Sequence, residues 1–330
     1  MHRITGHGDK GAAIVAALNQ ARSVLLCVHQ IPDGDALGSL SALLTTLQKQ
    51  GKTVIAYCRD VVPQIYRFLP AMELVQQTFP EDASSIDVAV VMDCGDLERV
   101  CTNPDFLQNV AMLVNLDHHV GNPLFGHFNW VDTEAAATGE IIYQLHEMAG
   151  WPITADVATA LYTSLMTDTG SFQFSNTTAY TLRLAAELRE KGARIEEIRR
   201  EVYESRTLRS LRLLQQALST LQLSTNGKIA WIGVSLQDKE RIGAIHEDFE
   251  GLISYPRTIK GVEVALLFRE IEAGTVKVGL RSQSTIDVAA IARHWGGGGH
   301  RRAAGCTIKG TMAEAEQQLL AVVKECLDED

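Results

Sequence analysis

Ser23-Val-Leu-Leu-Cys-Val28-His29-Gln-Ile-Pro-Asp33-Gly-Asp35 is an unbroken apolar run that ends in a histidine and two aspartates. An apolar run without polar alternation, closed by Pro and Gly, reads as a strand covered on both faces of a parallel sheet. Such sheets bind ligands at the carboxyl ends of their strands. The pattern recurs along the chain. Asp87-Val-Ala-Val-Val-Met92 leads into Asp93-Cys-Gly-Asp96, and Ala111-Met-Leu-Val-Asn-Leu116 leads into Asp117-His118-His119. The helical pattern Ala155–Met166 leads into Thr167-Asp168-Thr169-Gly170. Four acidic or histidine segments, each at the end of an element, point to one metal site assembled from separate parts of the chain.

The other elements set the architecture. Leu37, Leu40, Leu43, Leu44 and Leu47 recur at helical spacing, Thr53–Tyr57 reads as a strand, and Thr138–Ala149 as a helix. This alternation predicts a doubly wound, mainly parallel α/β domain over residues 1–190. A charged helical linker, 191–220, joins it to a smaller α/β domain, 221–330. There Lys228–Val234 reads as a strand, Val262–Phe268 and Val276–Leu280 as a hairpin about Glu272-Ala-Gly274, and Met312–Leu327 as an amphipathic helix. A chain of 330 residues can build a core in each of two domains.

Composition narrows the function classes. With 46% hydrophobic and 21% charged residues the chain belongs with soluble globular proteins. No apolar run approaches the ~20 residues needed to cross a bilayer. The start, Met1-His-Arg-Ile-Thr, lacks the apolar segment of a secretory signal. Cysteines 27, 58, 94, 101, 306 and 326 form no CxxC pair, so a cytoplasmic protein with reduced thiols is expected, with no membrane partner. A net charge of −10 argues against coating long duplex nucleic acid. The charge is uneven, however. Val288–Ala313 holds no acid but carries Arg293, Arg301, Arg302 and Lys309, which suits an anion, whereas the arginines of Arg183–Arg212 alternate with glutamates as on a solvated helix face.

The chemistry of the first domain follows from its donors. His29 and Asp33 lie just past the first strand; Pro32 stiffens the turn and Gly34 relaxes it, so Asp33 and Asp35 can face different ions. Asp93 ends its strand as a lone carboxylate, suited to bridging two metals. Asp168 continues the helical face of Val157, Leu161 and Leu165, which aims it inward. Mixed oxygen and imidazole ligation suits Mn²⁺, or Mg²⁺, Co²⁺ or Fe²⁺; the absence of thiolates disfavours structural zinc. Asp33, Asp35, Asp93 and Asp168 together match the charge of two divalent ions. Single residues have blander readings: Asp96 precedes Leu97-Glu-Arg as a helix cap. His2, His7, His127, His146 and His246 are ordinary polar residues, and His294 is open. For Asp33, Asp35, Asp93, His118 and Asp168 together, coincidence in register with the element ends is the weaker reading.

In the second domain, Gly296-Gly-Gly-Gly-His300 removes every Cβ ahead of a histidine, so backbone N–H groups can approach an anion. The alternative is a flexible hinge. The neighbouring arginines and the helical stretch Asp287–His294 favour a phosphate clamp, with Arg281 able to grip phosphate bidentately. Trp295 suits either base stacking or core packing.

These motifs resemble a known family. His29-x-x-Pro-Asp33-x-Asp35-x-x-Gly38-Ser39, Asp93, Asp117-His118-His119 and Thr167-Asp168-Thr169-Gly170-x-Phe172 are similar to motifs I to IV of the DHH phosphoesterases. Leu280-Arg281-Ser282 and Gly296-Gly-Gly-Gly-His300-x-x-Ala303-Ala304-Gly305 resemble the DHHA1 module. The likeness spans nearly the whole chain without departure at these positions. It implies a DHH catalytic domain and a DHHA1 substrate domain holding two Mn²⁺ ions. His29, Asp33 and Asp93 would bind one ion; Asp35, Asp93, His118 and Asp168 would bind the other. His119 would lie beside the scissile phosphate, with Asp117 behind the ligands, fixing the orientation of His118. Arg281, Ser282, Gly297, Gly298, Gly299, His300 and Arg302 would hold the substrate end.

At this length the nearest subgroup degrades short oligoribonucleotides (nanoRNA) to nucleoside monophosphates and dephosphorylates 3′-phosphoadenosine-5′-phosphate (pAp) to AMP. The resemblance implies water attack between two ions, no covalent nucleophile, and a homodimer. A clamp at the substrate end would favour dinucleotides and short oligomers. Cleavage of cyclic dinucleotides or of pApA would use the same metals and stays open. A manganese pyrophosphatase would share the first domain but not the Gly296–His300 segment. A RecJ-type DNA exonuclease would need further domains. A non-catalytic RNA-binding protein would not need the intact ligand set.

Overall fold

Val24, Leu26 and Val28 join one hydrophobic core, while Leu25 and Cys27 join another. The computed structural model, which describes residues 8–283 and 286–328, shows the cause. β1 (Ser23–Cys27) lies inside a six-stranded sheet with β2 (Thr53–Tyr57), β3 (Val75–Gln76), β4 (Val88–Met92), β5 (Leu113–Asp117) and β6 (Phe128–Val131). The order is β3-β2-β1-β4-β5-β6, and every neighbouring pair is parallel. Helices α1 (Gly8–Gln20), α2 (Gly34–Lys49), α5 (Thr138–Ala149), α6 (Ala155–Asp168), α7 (Ala179–Glu190) and α8 (Ile195–Tyr203) pack into the larger core. The short α3 (Leu97–Val100) and α4 (Pro104–Gln108) cover the other face. A strand flanked by layers on both sides is mainly apolar, as β1 and β4 are; the buried Asn115 in β5 donates to the Val91 and Cys94 carbonyls.

The strand order reverses between β1 and β4, one leading out through β2 and β3, the other through β5 and β6. This switch point opens a crevice at the carboxyl ends of the two strands. There β1 continues into Val28 and His29, β4 into Asp93, and β5 ends on Asp117. α2 is buried from Gly34 to Leu47 because α6 lies directly on it. A Cβ at Gly38 would stand 2.5 Å from the Ala160 carbonyl oxygen, and one at Gly34 would stand 2.5 Å from the Thr167 side chain. Gly34 is therefore set by close packing on α6; the conformational relaxation expected from the sequence is not its role.

The chain divides into two compact units, Met1–Ser205 and Arg206–Asp330. The charged helical stretch is split between them: α8 closes the first unit and α9 (Leu208–Ser219) opens the second. Arginines there pair with local acids, as Arg194 does with Glu197 and Asp156. The second unit continues through β7 (Gln222–Leu223), β8 (Ile229–Val234), α10 (Leu236–Ile242) and α11 (Ser254–Arg257). It then runs through β9 (Val264–Glu272), β10 (Thr275–Ser282), α12 (Val288–Arg293), β11 (Gly298–His300), β12 (Ala303–Lys309) and α13 (Met312–Asp328). Its sheet runs β11-β12-β10-β9-β8-β7, parallel only at β8–β9. α12 and α13 cover one face over Val264, Leu266 and Phe268; α9 and α11 cover Ala265 and Leu267 on the other. This is a mixed α/β unit smaller than the first. Among the described residues no helix is long and apolar enough to cross a membrane, and all six cysteines are free thiols.

Candidate active site

The donors proposed from the sequence in the first unit reach the switch-point crevice from the β1–α2 turn, the start of α2, the ends of β4 and β5, and the end of α6. β4 ends on Asp93 in the left-handed region (φ 56°), a conformation that Asp tolerates better than most residues and that persists where the surroundings enforce it. Asp93 Oδ2 lies 3.6 Å from His29 Nε2, and Oδ1 lies 3.5 Å from His118 Nε2. His118 Nε2 is also 3.6 Å from Asp35 and 3.7 Å from Asp168.

Two groups of three donors emerge, His29/Asp33/Asp93 and Asp35/His118/Asp168, whose ligand atoms lie within 4.8 Å of one another in each group. A third, Asp93/His118/His119, meets the same limit. Asp33 and Asp35 thus fall in different groups. Asp33 also caps α2, where its Oδ1 accepts from the N–H groups of Asp35 and Ala36 at 3.1 and 3.0 Å.

The histidines are held by backbone carbonyls. His29 Nδ1 lies 2.8 Å from the Gln30 oxygen, and His118 Nδ1 lies 3.1 Å from the Ala135 oxygen. A carbonyl oxygen only accepts, so each ring carries a proton on Nδ1 toward its carbonyl and turns Nε2 to the carboxylates. Arg99 Nη2, a donor only, lies 3.3 Å from the same His29 Nδ1 and competes for it; the shorter contact, to the Gln30 oxygen, is the one that places the proton. Asp117 behaves otherwise than the sequence suggested. Its Oδ1 accepts from the His119 ring Nδ1 at 2.7 Å and touches His118 only through the backbone N–H. The residue Asp117 orients is His119; Ala135 orients His118. A carboxylate closing β5 reaches the ring two positions on more readily than the adjacent one, whose side chain turns to the opposite side.

Asp35 is the most heavily bonded group. It accepts from the N–H groups of Thr138 (2.7 Å) and Gly139 (3.1 Å), from Ser164 Oγ (2.5 Å) and from Ser39 Oγ (3.3 Å). Thr138 and Gly139 open α5, whose N-cap, Ala137, offers no side-chain acceptor. Asp35 caps that helix from α2 and faces the positive end of its dipole. Thr138 Oγ1 in turn donates to Asp93 at 3.0 Å. Thr138, Gly139 and Ser164 were not foreseen; an α5 start without a capping residue of its own was the available signal.

The electrostatics describe a site short of positive charge. Burial raises the Asp93 carboxyl well above its usual range, with Asp35, Asp33 and Asp168 adding to it, and burial with Asp35 pushes Asp168 up to about 7. Burial also raises Asp35. For His118 burial acts downward, yet Asp35, Asp93 and Asp168 outweigh it and bring the ring up to about 9. Asp117 is buried too, but its bonds with His119 and Asn122 hold it low. Oxygen and imidazole donors converge here with four carboxylates, and no thiolate joins them: the Cys94 thiol donates to the Asp96 carbonyl at 3.0 Å. This donor set fits divalent cations of the Mn²⁺ or Mg²⁺ kind.

The remaining residues fall as follows. Asp96 caps α3 by accepting from the Glu98 N–H. His127 accepts from the Leu113 N–H, and His146 is buried between Ile142 and Thr46. His2 and His7 lie outside the described residues. In the second unit, register places Arg281 beside Ala303, and Ala303 beside His300, so these three positions share one rung across β10, β12 and β11. The His300 side chain lies outside the described residues. The glycine run is an edge strand rather than a loop: a Cβ at Gly297 would meet the Gly305 carbonyl at 2.2 Å, and one at Gly299 the Ala303 carbonyl at 2.4 Å. Gly298 has open space. Ser282 is buried, its hydroxyl donating to the Ile286 oxygen at 2.9 Å, while Arg302 is exposed. His294 is exposed, and Trp295 packs against the core of the unit.

Comparisons with known proteins bear on this geometry. The family described as "DHH family, N-terminal domain" matches residues 23–165, and the DHHA1 domain matches 223–329. The chain is 36% identical over 308 residues to a protein of Thermus thermophilus named "Bifunctional oligoribonuclease and PAP phosphatase NrnA", covering 92% of this chain and 89% of that one. It is 27% identical over 298 residues to the Bacillus subtilis protein of the same name, covering 89% and 92%. In fold it is similar to an exopolyphosphatase-related protein from Bacteroides fragilis, with TM-score 0.90, 24% identity, and coverage of 100% and 98%.

Proposed function

The chain belongs to the DHH phosphoesterase family and is a hydrolase; on that premise we propose that it degrades short oligoribonucleotides to nucleoside monophosphates and converts pAp to AMP, using two divalent ions, with Mn²⁺ foremost. The observation that carries this reading is the pair of donor groups, His29/Asp33/Asp93 and Asp35/His118/Asp168, meeting at Asp93. Bound there, divalent ions would activate water and offset charge on the phosphoryl oxygens.

The protein's own groups prepare that chemistry. Four donors converge on the buried Asp35 carboxylate, and Gln30 and Ala135 hold the two imidazoles with Nε2 inward. His119, held through Nδ1 by Asp117, serves as the hydrogen-bonding group for a phosphoryl oxygen or the leaving oxygen. The second unit supplies the grip on the substrate end: Arg281 and the backbone of the Gly298–His300 edge strand lie on adjoining rungs. A guanidinium meets phosphate through two parallel hydrogen bonds, which fixes its position as well as its charge.

The test is a substrate panel of pAp, pApA, cyclic di-AMP and RNA two- to five-mers, run with Mn²⁺ and with Mg²⁺ and resolved by product length. Turnover of the short RNAs and of pAp is expected, fastest with Mn²⁺. Asp93→Asn and His118→Ala should abolish it while leaving the circular dichroism spectrum unchanged. Full activity of both variants, or hydrolysis of cyclic di-AMP alone, sinks the proposal.

A further inference from the structure

The sheet face of the second unit that packs against α9 and Phe249 carries, at its margin, two half-buried cations with no ion-pair partner among the described residues. On β10, Val276, Val278 and Leu280 point into the core under α12 and α13, so Lys277, Gly279 and Arg281 point to the opposite face. On β9 the same alternation sends Arg269 to that face, and the register sets Lys277 directly opposite Arg269. Like charges facing each other across a strand pair destabilise a sheet. Neither residue forms an ion pair among the described residues, and both are half-buried.

Burial holds both below their usual values; for Lys277 the nearby Arg269 adds to it, and no carboxylate contributes to either. The Arg269 guanidinium stands over the Phe249 ring at 5.0 Å, which fixes its plane, and its buried Nε has no hydrogen-bond partner among the described residues. Between Lys277 and Arg281 lies Gly279, with Ile253 Cδ1 packed against it, and its register partner on β12 is the half-exposed Gly305.

We propose that Arg269 and Lys277 form a binding site for an internal phosphodiester of an oligoribonucleotide, distinct from the rung of Arg281 and His300. This rests on the proposed substrate class. Lys277 and Arg281 are four residues apart on one strand, roughly 13 Å. A mononucleotide held at the Arg281 rung cannot span that distance; a longer chain passing beside β10, on the Gly305 side, can. The pair is therefore a length-dependent contact, adding affinity for oligomers and none for pAp. Its chemistry suits phosphate: a planar guanidinium beside an ammonium, with no acid paired to either among the described residues.

The experiment measures binding to the full-length protein in EDTA, where no turnover occurs. A fluorescein-labelled RNA five-mer reports by anisotropy, with unlabelled five-mer and pAp as competitors. Arg269→Gln and Lys277→Gln should each weaken the five-mer roughly tenfold, as expected for loss of a charged hydrogen bond. Each should also reduce the slope of log affinity against log salt by about 0.7. Competition by pAp should not change. Thermal midpoints at low salt should equal or exceed the parent's, because one of two opposed charges is gone. An unchanged five-mer affinity and salt slope, an equal loss for pAp, or lowered midpoints in both variants would overturn the proposal. Because the readout needs no divalent ion, failure of the substrate panel leaves this result standing, and the reverse also holds.

Discussion

Acidification should destabilise the first unit through His146. The ring is buried in the last turn of α5, edge-on to Trp151 at 5.5 Å between ring centroids. Its Nδ1 lies 2.8 Å from the Ile142 carbonyl, so the proton sits there and Nε2 accepts from the Thr46 hydroxyl at 2.8 Å. The neutral ring is thus fully satisfied, and the charged ring would have to lose its water. Burial lowers it from 6.5 to about 4, against a smaller upward pull from the Ile142 bond. A helix C-terminus favours a cation by about 1 kcal/mol, too little to reverse a shift of this size.

The sign follows from proton counts. Between pH 6.5 and 4 the unfolded chain binds a proton at this position and the folded chain does not, so stability falls as pH falls. At 1.36 kcal/mol per pH unit, the full shift amounts to roughly 3 kcal/mol, of which roughly 2 kcal/mol is lost between pH 7.5 and 5.0. Urea unfolding followed by circular dichroism in EDTA at these two pH values, for the parent and for His146→Gln, isolates the effect. The substitution has its own cost, but that cost does not vary with pH, and the carboxylates of the crevice titrate alike in both proteins. The stability gap between them should narrow by roughly 2 kcal/mol on acidification. Parallel curves would show that His146 takes up its proton in the folded state, and the burial argument would be wrong.

Two further outcomes test the site and its frame. Asp117→Asn replaces the carboxylate that accepts the His119 Nδ1–H hydrogen bond, and kcat for the RNA dinucleotide should fall by roughly tenfold to a hundredfold, with metal content by elemental analysis unchanged. An unchanged kcat would remove His119 from the chemistry. Gly38→Ala places a methyl 2.5 Å from the Ala160 carbonyl and 2.9 Å from the Ser164 nitrogen, both backbone atoms that cannot turn aside. The thermal midpoint should drop by an amount equivalent to about 1–3 kcal/mol, and a midpoint equal to the parent's would show that α2 and α6 separate freely.

Much of the first unit was legible because its strands are buried on both faces. A doubly covered strand has few polar positions, so Val24–Val28 and Val88–Met92 stand out from the surrounding sequence, and their ends mark where donors gather. β6 did not stand out: Phe128-Asn-Trp-Val131 is short, at the sheet edge and half-exposed. α1 is rich in alanine, which blurs the contrast between its faces. The glycine run of β11 pairs backbone to backbone, so it has no side-chain alternation to read. Backbone conformation was beyond reach as well. Nothing in the residue types announces that Ile31, a β-branched residue, adopts φ 55°, or that Asp93 adopts φ 56°. The mistaken pairing of Asp117 with His118 has a similar origin, since adjacency in sequence says little about which ring a short carboxylate can reach.

Asp35 shows why the fold and the site cannot be dissected independently. Its carboxylate, carried by α2, receives the first two N–H groups of α5 and the Ser164 hydroxyl of α6. Three helices therefore converge on one candidate metal ligand, and α5 has no cap of its own to fall back on. Removing that carboxylate would leave the buried Thr138 N–H unpaired at a helix start and Gly139 with Ser164 Oγ alone, which costs roughly 1–3 kcal/mol for the orphaned group before any ion is considered. Loss of activity on substituting Asp35 would then mix the loss of an ion with the loosening of three helices. Asp93 and His118 are the sharper probes. Asp93 accepts a single hydroxyl hydrogen bond, from Thr138, and the His118 ring makes a single bond to a backbone carbonyl, so removing either takes donors from the crevice while leaving the helix starts paired.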